Sequence, residues 1–146
     1  MRSLLNDRLR DDPLATEAAD IVRSCVHCGF CNATCPTYQV TGDERDGPRG
    51  RIYLMKSWLE ADAAGATTQA HLERCLLCRN CETTCPSGVR YGRLLDLVRP
   101  RVNEAVGLTP WQRATRALLK NVIPYPRRWR AAVTMGRWLR PLLPAA

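Results

Sequence analysis

The chain has 146 residues and a formal net charge of +8, from 22 Lys and Arg side chains against 14 Asp and Glu. This length fits one domain with an appendage. No stretch approaches the ~18 to 20 consecutive apolar residues of a membrane-spanning helix, and the first residues contain no apolar stretch fit for a signal peptide. Composition therefore excludes an integral helical membrane protein, and we expect a soluble or peripheral one.

The charge is unevenly distributed along the chain. Residues 1–104 hold 14 basic and 14 acidic side chains, whereas residues 105–146 hold the other 8 basic groups and no acid. We therefore expect a domain over residues 1–107 and a basic helical extension over residues 108–146.

The apolar periodicity of the domain is helical wherever it is clear. One helix is predicted to begin at Asp12-Pro13, where a cap precedes proline, a second at Gly47-Pro48 and a short third near Thr68. A longer helix follows Pro86-Ser87-Gly88 and ends at Gly107. The predicted inner faces are Leu14, Ala18, Ile21 and Cys25; Ile52, Met55 and Leu59; Leu72 and Leu76; and Leu94, Val98, Val102 and Ala105. No five-residue stretch alternates as a strand does, so the sequence predicts an all-α fold.

All eight cysteines lie in two copies of one pattern, Cys-x2-Cys-x2-Cys-x3-Cys-Pro, and the second copy follows the first by 50 residues. This spacing holds a [4Fe–4S] cluster, and in two-cluster ferredoxins the fourth cysteine of each run serves the other cluster. The pattern predicts two [4Fe–4S] clusters and transfer of electrons one at a time. The copies are Cys25, Cys28, Cys31 and Cys35 before Pro36, and Cys75, Cys78, Cys81 and Cys85 before Pro86.

The proline after each fourth cysteine favours crossed ligation. Proline fixes its own φ and pushes the preceding residue toward an extended conformation, which turns Cys35 and Cys85 out of their own loops. The predicted ligands are Cys25, Cys28, Cys31 and Cys85 for cluster 1, and Cys75, Cys78, Cys81 and Cys35 for cluster 2. This exchange ties the two halves of the chain together, and we expect residues 20–100 to lose their fold without iron.

Two other roles for the cysteines are weighed against the clusters. Structural zinc usually takes two separated Cys-x2-Cys pairs rather than three cysteines in one short run followed by Cys-Pro. A zinc-held interaction module is thus the weaker alternative, and disulfides would need an oxidising compartment. No nucleophile motif, nucleotide loop or carboxylate pair is present, so we predict no catalytic residue on this chain.

A glycine-rich segment, residues 46–51, carries Arg49 and Arg51 to the start of a predicted helix. A helix start favours anions, and an arginine beside a cluster would raise its reduction potential. The alternative is a plain turn with surface arginines. His27 has a small chance of replacing a thiolate ligand, and His71 is predicted to lie on a helix surface.

The tail opens with a predicted capping box at Thr109-Pro110-Trp111-Gln112. A second basic stretch runs from Arg127 to Arg140 and stops at Pro141. Basic amphipathic helices with tryptophan bind anionic membrane surfaces, dock a partner, or pack on their own chain. No recognition motif supports nucleic-acid binding.

Three segments of the sequence resemble the iron–sulfur subunit of bacterial glycolate oxidase (glycolate dehydrogenase). They are Cys25-Val-His-Cys-Gly-Phe-Cys-Asn-Ala-Thr-Cys-Pro-Thr-Tyr, Gly42-Asp-Glu-Arg-Asp-Gly-Pro-Arg-Gly-Arg-Ile-Tyr and Arg74-Cys-Leu-Leu-Cys-Arg-Asn-Cys-Glu-Thr-Thr-Cys-Pro-Ser-Gly-Val-Arg-Tyr. The cysteine runs alone are shared with subunits of lactate, anaerobic glycerol-3-phosphate and heterodisulfide-reducing enzymes. The segments around Arg49 and Arg90 narrow the resemblance toward glycolate, and both arginines and Arg51 are candidates to lie beside the clusters.

The resemblance implies an α-helical ferredoxin domain with two [4Fe–4S] clusters. It implies partner subunits that carry FAD and oxidise glycolate to glyoxylate, and electrons that pass through this chain toward a membrane acceptor such as quinone. It also implies a cytoplasmic setting, peripheral on the inner membrane of a bacterium. Family members continue into repeats with Cys-Cys-Gly motifs, and this sequence contains none, so the tail is interpreted as the start of a region that is truncated relative to the family.

Overall fold

The computed structural model describes residues 3–61 and 64–139 of the chain. Two compact units are distinguished, Met1–Gly107 and Leu108–Ala146. The helices of the first unit are α1 (Pro13–Ser24), α2 (Pro36–Thr41), α3 (Pro48–Ala61), α4 (Ala66–Glu73), α5 (Asn80–Thr83) and α6 (Tyr91–Val106), and those of the second are α7 (Pro110–Val122) and α8 (Pro126–Leu139). Within the described ranges no residue lies in a β-strand, which confirms the all-α prediction.

Local sequence signals set where the long helices begin and end. The Asp12 carboxylate accepts a hydrogen bond from the Leu14 backbone N–H at 2.8 Å, and Pro13 occupies the first turn of α1. Pro48 is the first residue of α3. Gly107, at φ +80°, ends α6 and donates its N–H to the Asn103 carbonyl.

The core of the first unit lies where α1, α3, α4 and α6 pack against one another. Its fully buried members include Val22, Met55, Leu59, Leu72, Leu94, Leu95, Val98 and Val102. Cysteine side chains belong to the same cluster of buried residues, because Cys25 and Cys81 are buried in it and Cys31, Cys75 and Cys85 pack against it. The apolar core therefore continues directly into the cysteine loops.

Three residues of the predicted inner faces are not buried. Leu76 is 67% exposed and Leu14 is 41% exposed, and Ala105 is exposed near the end of α6. Leu76 was predicted to continue the face of α4, but that helix ends at Glu73. Leu76 therefore follows the loop geometry rather than the helical period.

The second unit contains two helices that pack against each other. Thr109 and Gln112 form the predicted capping box, with the Gln112 N–H donating to the Thr109 hydroxyl at 3.2 Å and the Thr109 N–H donating to the Gln112 side chain at 2.9 Å. The second helix begins at Pro126 rather than at Arg127. Its predicted end at Arg140 and Pro141 lies outside the described residues.

The apolar side chains of the second unit are exposed. No residue of α7 is buried, and the large exposed side chains of the unit include Trp111, Leu118, Leu119, Ile123, Tyr125, Trp129, Val133, Met135 and Trp138. Among the described residues, no helix combines the length and the apolar content that crossing a bilayer requires.

Candidate iron–sulfur centres

The first three cysteines of each run lie on a tightly curled loop with left-handed backbone at two equivalent positions. His27 (φ 61°) and Gly29 (φ 87°) separate the cysteines of the first loop, and Leu77 (φ 56°) and Arg79 (φ 59°) occupy the same places in the second. A bulky residue such as Leu77 rarely adopts this conformation, which costs on the order of 1–3 kcal/mol and clusters at functional sites. The curl directs three thiols of each loop to one side.

The two loops meet through residues that are also 50 positions apart. The hydroxyl of Thr84, which precedes Cys85, donates to the hydroxyl of Thr34, which precedes Cys35, at 3.3 Å. Thr34 in turn donates to the Asn80 carbonyl at 3.4 Å. These hydrogen bonds therefore join the two copies of the cysteine pattern immediately before their fourth cysteines.

A first cavity, cavity 1, has a volume of about 420 Å³ including space open to solvent. Its cysteines are Cys25, Cys28, Cys31, Cys81 and Cys85. The structure thus brings the first three cysteines of run one together with the fourth cysteine of run two. His27 and Arg49 also line this cavity.

A second cavity, cavity 2, measures about 310 Å³ on the same basis. Its cysteines are Cys35, Cys75, Cys78 and Cys81, and Arg51 and Arg79 line it as well. Here the first three cysteines of run two lie with the fourth cysteine of run one. Each cavity therefore has at least the four thiols that one iron–sulfur cluster requires.

The two cavities share a wall formed by Pro48, Cys81 and Tyr91. Burial raises the pKa of the Cys81 thiol to about 12, and the neighbouring Cys31 adds to this rise. Burial also raises the pKa of Cys31 to about 11, with Cys25 adding to the effect. Thiols of this kind stay protonated at neutral pH unless a cation binds them, so metal binding releases protons.

Three side chains place polar groups near the sulfur atoms. The Tyr91 hydroxyl donates to Cys75 Sγ at 3.7 Å, and the Thr37 hydroxyl lies 3.2 Å from Cys35 Sγ. Burial, with the charge of Cys75 adding to it, keeps the pKa of Tyr91 well above its ordinary value, so its hydroxyl keeps its proton. His27 Nδ1 lies 3.9 Å from Cys25 Sγ.

The two arginines of the glycine-rich segment lie beside different cavities. Arg49 lines cavity 1 and pairs with Glu44, Nε to Oε1, at 2.6 Å. Arg51 lines cavity 2 and its side chain is 1% exposed, so the alternative of a plain turn with surface arginines is wrong for Arg51. Arg90 is exposed, lies 3.8 Å from Glu17, and is absent from the linings of both cavities.

His71 is buried, in contrast to its predicted place on a helix surface. Its Nδ1 lies 2.7 Å from Asp46 Oδ1, and both side chains are almost fully enclosed. Asp46 also accepts a hydrogen bond from Arg74 at 3.2 Å. Burial raises the pKa of Asp46, but His71 and Arg74 outweigh this effect and lower it overall, so the buried carboxyl is an anion at neutral pH.

Sequence reasoning missed Asp46, His71 and Tyr91 as parts of the site. Tyr91 ends the Cys-Pro-Ser-Gly-Val-Arg-Tyr segment that begins at Cys85. Its position in the sequence gives no indication that its hydroxyl reaches Cys75. Asp46 lies in the glycine-rich segment, in which only the arginines were predicted to lie beside a cluster. The available signal was the density of Gly, Pro and charged residues between positions 42 and 51.

Comparison with known families agrees with the geometry of the cavities. Residues 21–89 match the model of the 4Fe-4S dicluster domain. These residues form a 4Fe-4S dicluster domain. The cofactors of this chain are accordingly two [4Fe–4S] clusters, as the cysteine pattern predicts.

The chain is similar in sequence to iron–sulfur subunits of glycolate oxidase. It is 54% identical over 144 residues to the "Glycolate oxidase iron-sulfur subunit" of Escherichia coli, covering 99% of this chain and 35% of that protein. It is 38% identical over 118 residues to the "Probable glycolate oxidase iron-sulfur subunit" of Bacillus subtilis, covering 77% of this chain and 26% of that protein. These matches confirm the resemblance found in the sequence.

A more distant match is one component of the dihydromethanophenazine:CoB--CoM heterodisulfide reductase of Methanosarcina acetivorans. It is 34% identical over 101 residues, or 58% of this chain and 25% of that protein. The chain thus spans about a third or less of the length of each of these relatives. No solved structure gives a significant match.

The thiols of the chain fit two iron–sulfur clusters in number. Iron–sulfur clusters are held by four cysteine thiolates each, and cavity 1 and cavity 2 together contain all eight thiols of the chain. The zinc-held module has no comparable support, because the matching family model is a 4Fe-4S one.

Gly50, between the two arginines, allows a close approach of backbone segments. A Cβ at this position would lie 2.0 Å from the Glu44 carbonyl oxygen, in the 3₁₀ turn Glu44–Asp46 that leads into α3. We expect Gly50→Ala to lower the stability of the iron-loaded protein by about 1–3 kcal/mol, because this backbone contact must open. Thermal unfolding followed by circular dichroism under argon measures the change.

Gly65→Ala is the matched control, because a Cβ there meets nothing within 4 Å. Its unfolding temperature should stay close to that of the unchanged protein. Equal unfolding temperatures for the Gly50→Ala variant and this control would show that the contact is not tight.

Proposed function

We propose that this chain is the electron-transfer part of a glycolate-oxidising complex. A partner subunit with FAD oxidises glycolate to glyoxylate, and this chain conducts the electrons toward a membrane acceptor such as quinone. The observation that carries the proposal is the pair of adjoining, thiol-lined cavities on a chain 54% identical to a glycolate oxidase iron–sulfur subunit.

Conversion of glycolate to glyoxylate removes two electrons and two protons from the substrate. A flavin takes up both electrons and can release them one at a time, so one-electron carriers can link it to the acceptor. When bound, each [4Fe–4S] cluster accepts and gives up one electron. The chain contributes the two cavities, the thiolates and the shared wall that holds the two sites next to each other.

The proposed ligands of the site in cavity 1 are Cys25, Cys28, Cys31 and Cys85. Those of the site in cavity 2 are Cys35, Cys75, Cys78 and Cys81. The cavity linings support this crossed set, because Cys85 lines only cavity 1, with all three leading cysteines of the first run, and Cys35 lines only cavity 2. Cys81 borders both cavities and is assigned to cavity 2, with the other two cysteines of its own loop.

Substrate identity is tested on the complex itself. An affinity-tagged copy of this chain, isolated without oxygen from its own organism, should bring down a flavoprotein. Addition of glycolate should then bleach the broad visible absorption of the clusters. D-Lactate and glycerol-3-phosphate are the comparison substrates, because related subunits serve their dehydrogenases. Bleaching by one of these two, with no response to glycolate, would replace the glycolate assignment.

Pairs of cysteine substitutions test the crossed ligation. Cys85→Ala alone should reduce the iron content from about eight to about four atoms per chain. Adding Cys28→Ala should change this iron content little, because Cys28 and Cys85 bind the same cluster in the crossed set. Adding Cys78→Ala instead should remove nearly all iron. Iron and sulfide analysis of anaerobically purified protein gives the counts, and the reverse pattern would establish uncrossed ligation.

The second unit supplies a surface for contact with an anionic membrane. Arg113, Arg116 and Lys120 are exposed on α7, the same helix exposes Trp111 and Leu118, and residues 105–146 include no acid. Tryptophan and leucine insert at the bilayer interface while cations attract anionic lipid headgroups. Such contact would hold the electron carrier near a membrane acceptor.

Vesicle sedimentation tests the membrane contact. Each cation near an anionic surface contributes about 1 kcal/mol, so exchanging Arg113, Arg116 and Lys120 for Gln should weaken binding to phosphatidylserine-containing vesicles about a hundredfold. Exchanging three exposed arginines of the first unit, Arg8, Arg10 and Arg45, makes the matched control with the same change of net charge. Equal losses in both triple variants would mean that net charge, rather than the α7 surface, governs binding.

A further inference from the structure

We propose that Arg51 raises the reduction potential of the cluster in cavity 2 above that of the cluster in cavity 1, so that an electron delivered to the pair rests in cavity 2. The proposal rests on the ligand sets given above. It assigns Arg51 a tuning role that acts through charge and hydrogen bonds on the cluster.

The Arg51 side chain is anchored deep in the protein next to cavity 2. Its Nε donates to the His71 carbonyl at 2.7 Å, and its Nη1 donates to the Thr37 hydroxyl at 3.1 Å. Nη2 is buried and finds no hydrogen-bond partner among the described residues, and its nearest anion is Asp46 Oδ1 at 3.5 Å. A buried guanidinium with unused N–H groups is costly, and cluster sulfur atoms are acceptors that would use them.

The charge balance differs between the two cavities. Beside cavity 1, Arg49 is neutralised by Glu44 at 2.6 Å. Beside cavity 2, the single carboxylate of Asp46 is shared between Arg51 at 3.5 Å and Arg74 at 3.2 Å. Of these three groups only Arg51 lines cavity 2, so its positive charge lies nearest the cluster, and positive charge favours the reduced, more negative state of a cluster.

Burial makes the charge of Arg51 effective at cavity 2. The Arg51 side chain is 1% exposed, whereas that of Arg49 is 34% exposed and that of Arg74 is 57% exposed. Solvent screens exposed charges far more than buried ones. Arginine also keeps its charge at every pH of interest, so this influence persists under all working conditions.

Hydrogen bonds to sulfur act in the same direction. Cavity 2 has the Tyr91 hydroxyl on Cys75 Sγ at 3.7 Å and the Thr37 hydroxyl at 3.2 Å from Cys35 Sγ. The Thr37 hydroxyl donates its one proton to the Asp46 carbonyl at 2.8 Å, so Tyr91 is the side-chain donor to sulfur in this cavity. Donors to sulfur raise a cluster's potential, and the corresponding side-chain contact in cavity 1, from His27 to Cys25, is longer at 3.9 Å.

The test measures each cluster alone, by redox titration with chemical mediators followed by electron paramagnetic resonance. Cys28→Ala leaves only the cavity 2 cluster, and Cys78→Ala leaves only the cavity 1 cluster. In the first background, Arg51→Met should lower the midpoint by at least about 59 mV, a tenfold change in the one-electron equilibrium. Arg51→Lys keeps the charge and should retain most of the potential. Arg49→Met in the second background is the matched control and should shift its cluster by less.

Asp46→Asn provides a measurement that does not require loss of the arginine. It removes the shared counter-charge at nearly constant size, so it should raise the midpoint of the cavity 2 cluster, and it decides the question if the Arg51→Met protein does not take up iron. An unchanged midpoint in either variant, or an equal shift in the Arg49→Met control, would overturn the proposal. The titration uses no glycolate and no partner, so failure of the tuning role is distinguishable from failure of the proposed function, which iron counts and substrate bleaching report.

Discussion

Convergence of eight thiols on two adjoining cavities is the constraint on which the rest of this structure depends. A thiol buried as deeply as Cys81 is difficult to ionise, and its pKa of about 12 reflects that cost. Binding of iron offsets the cost by bringing positive charge to the sulfur. The first unit thus combines a modest helical core with metal sites, and the cysteine side chains extend the buried cluster of Leu, Val and Met residues.

Holding the thiols in place requires backbone conformations that the chain would otherwise avoid. The left-handed residues Leu77 and Arg79 lie at positions equivalent to His27 and Gly29. Only one of these four positions is occupied by glycine, so the curl is imposed by the surroundings rather than by local preference. The threonine contact between Thr34 and Thr84 joins the two curled loops at equivalent points.

The buried charges around Asp46 connect the helices to the second cavity. Asp46 lies in the turn before α3, His71 on α4 and Arg51 on α3, and their side chains meet inside the protein. One carboxylate thereby organises two helices and the guanidinium beside cavity 2. The neighbouring Arg49 and Glu44 pair is more exposed. The two cavities therefore differ in their electrostatic surroundings, although their cysteine runs have the same spacing.

Much of the fold and site follows from local pattern. The start of α1 at Asp12-Pro13, the start of α3 at Pro48, the capping box at Thr109 and the end of α6 at Gly107 depend on residues within one turn of each other, and such interactions are readable in a linear sequence. The cysteine spacing likewise indicated two clusters, because a curled loop of seven residues is itself a local structure. The prediction that Leu76 is buried was wrong, because Leu76 lies in the cysteine loop and the helical period does not apply there.

The contacts between distant residues belong to another class. Nothing in the order of residues places Tyr91 on Cys75, encloses His71 against Asp46, or separates buried Arg51 from the more exposed Arg49 two positions earlier. Each of these depends on how α3, α4 and α6 pack, and packing sums many weak contacts among residues that are far apart in the sequence. Which metal the chain holds could be read from its cysteines, but the charge environment of each site arises only when the helices come together.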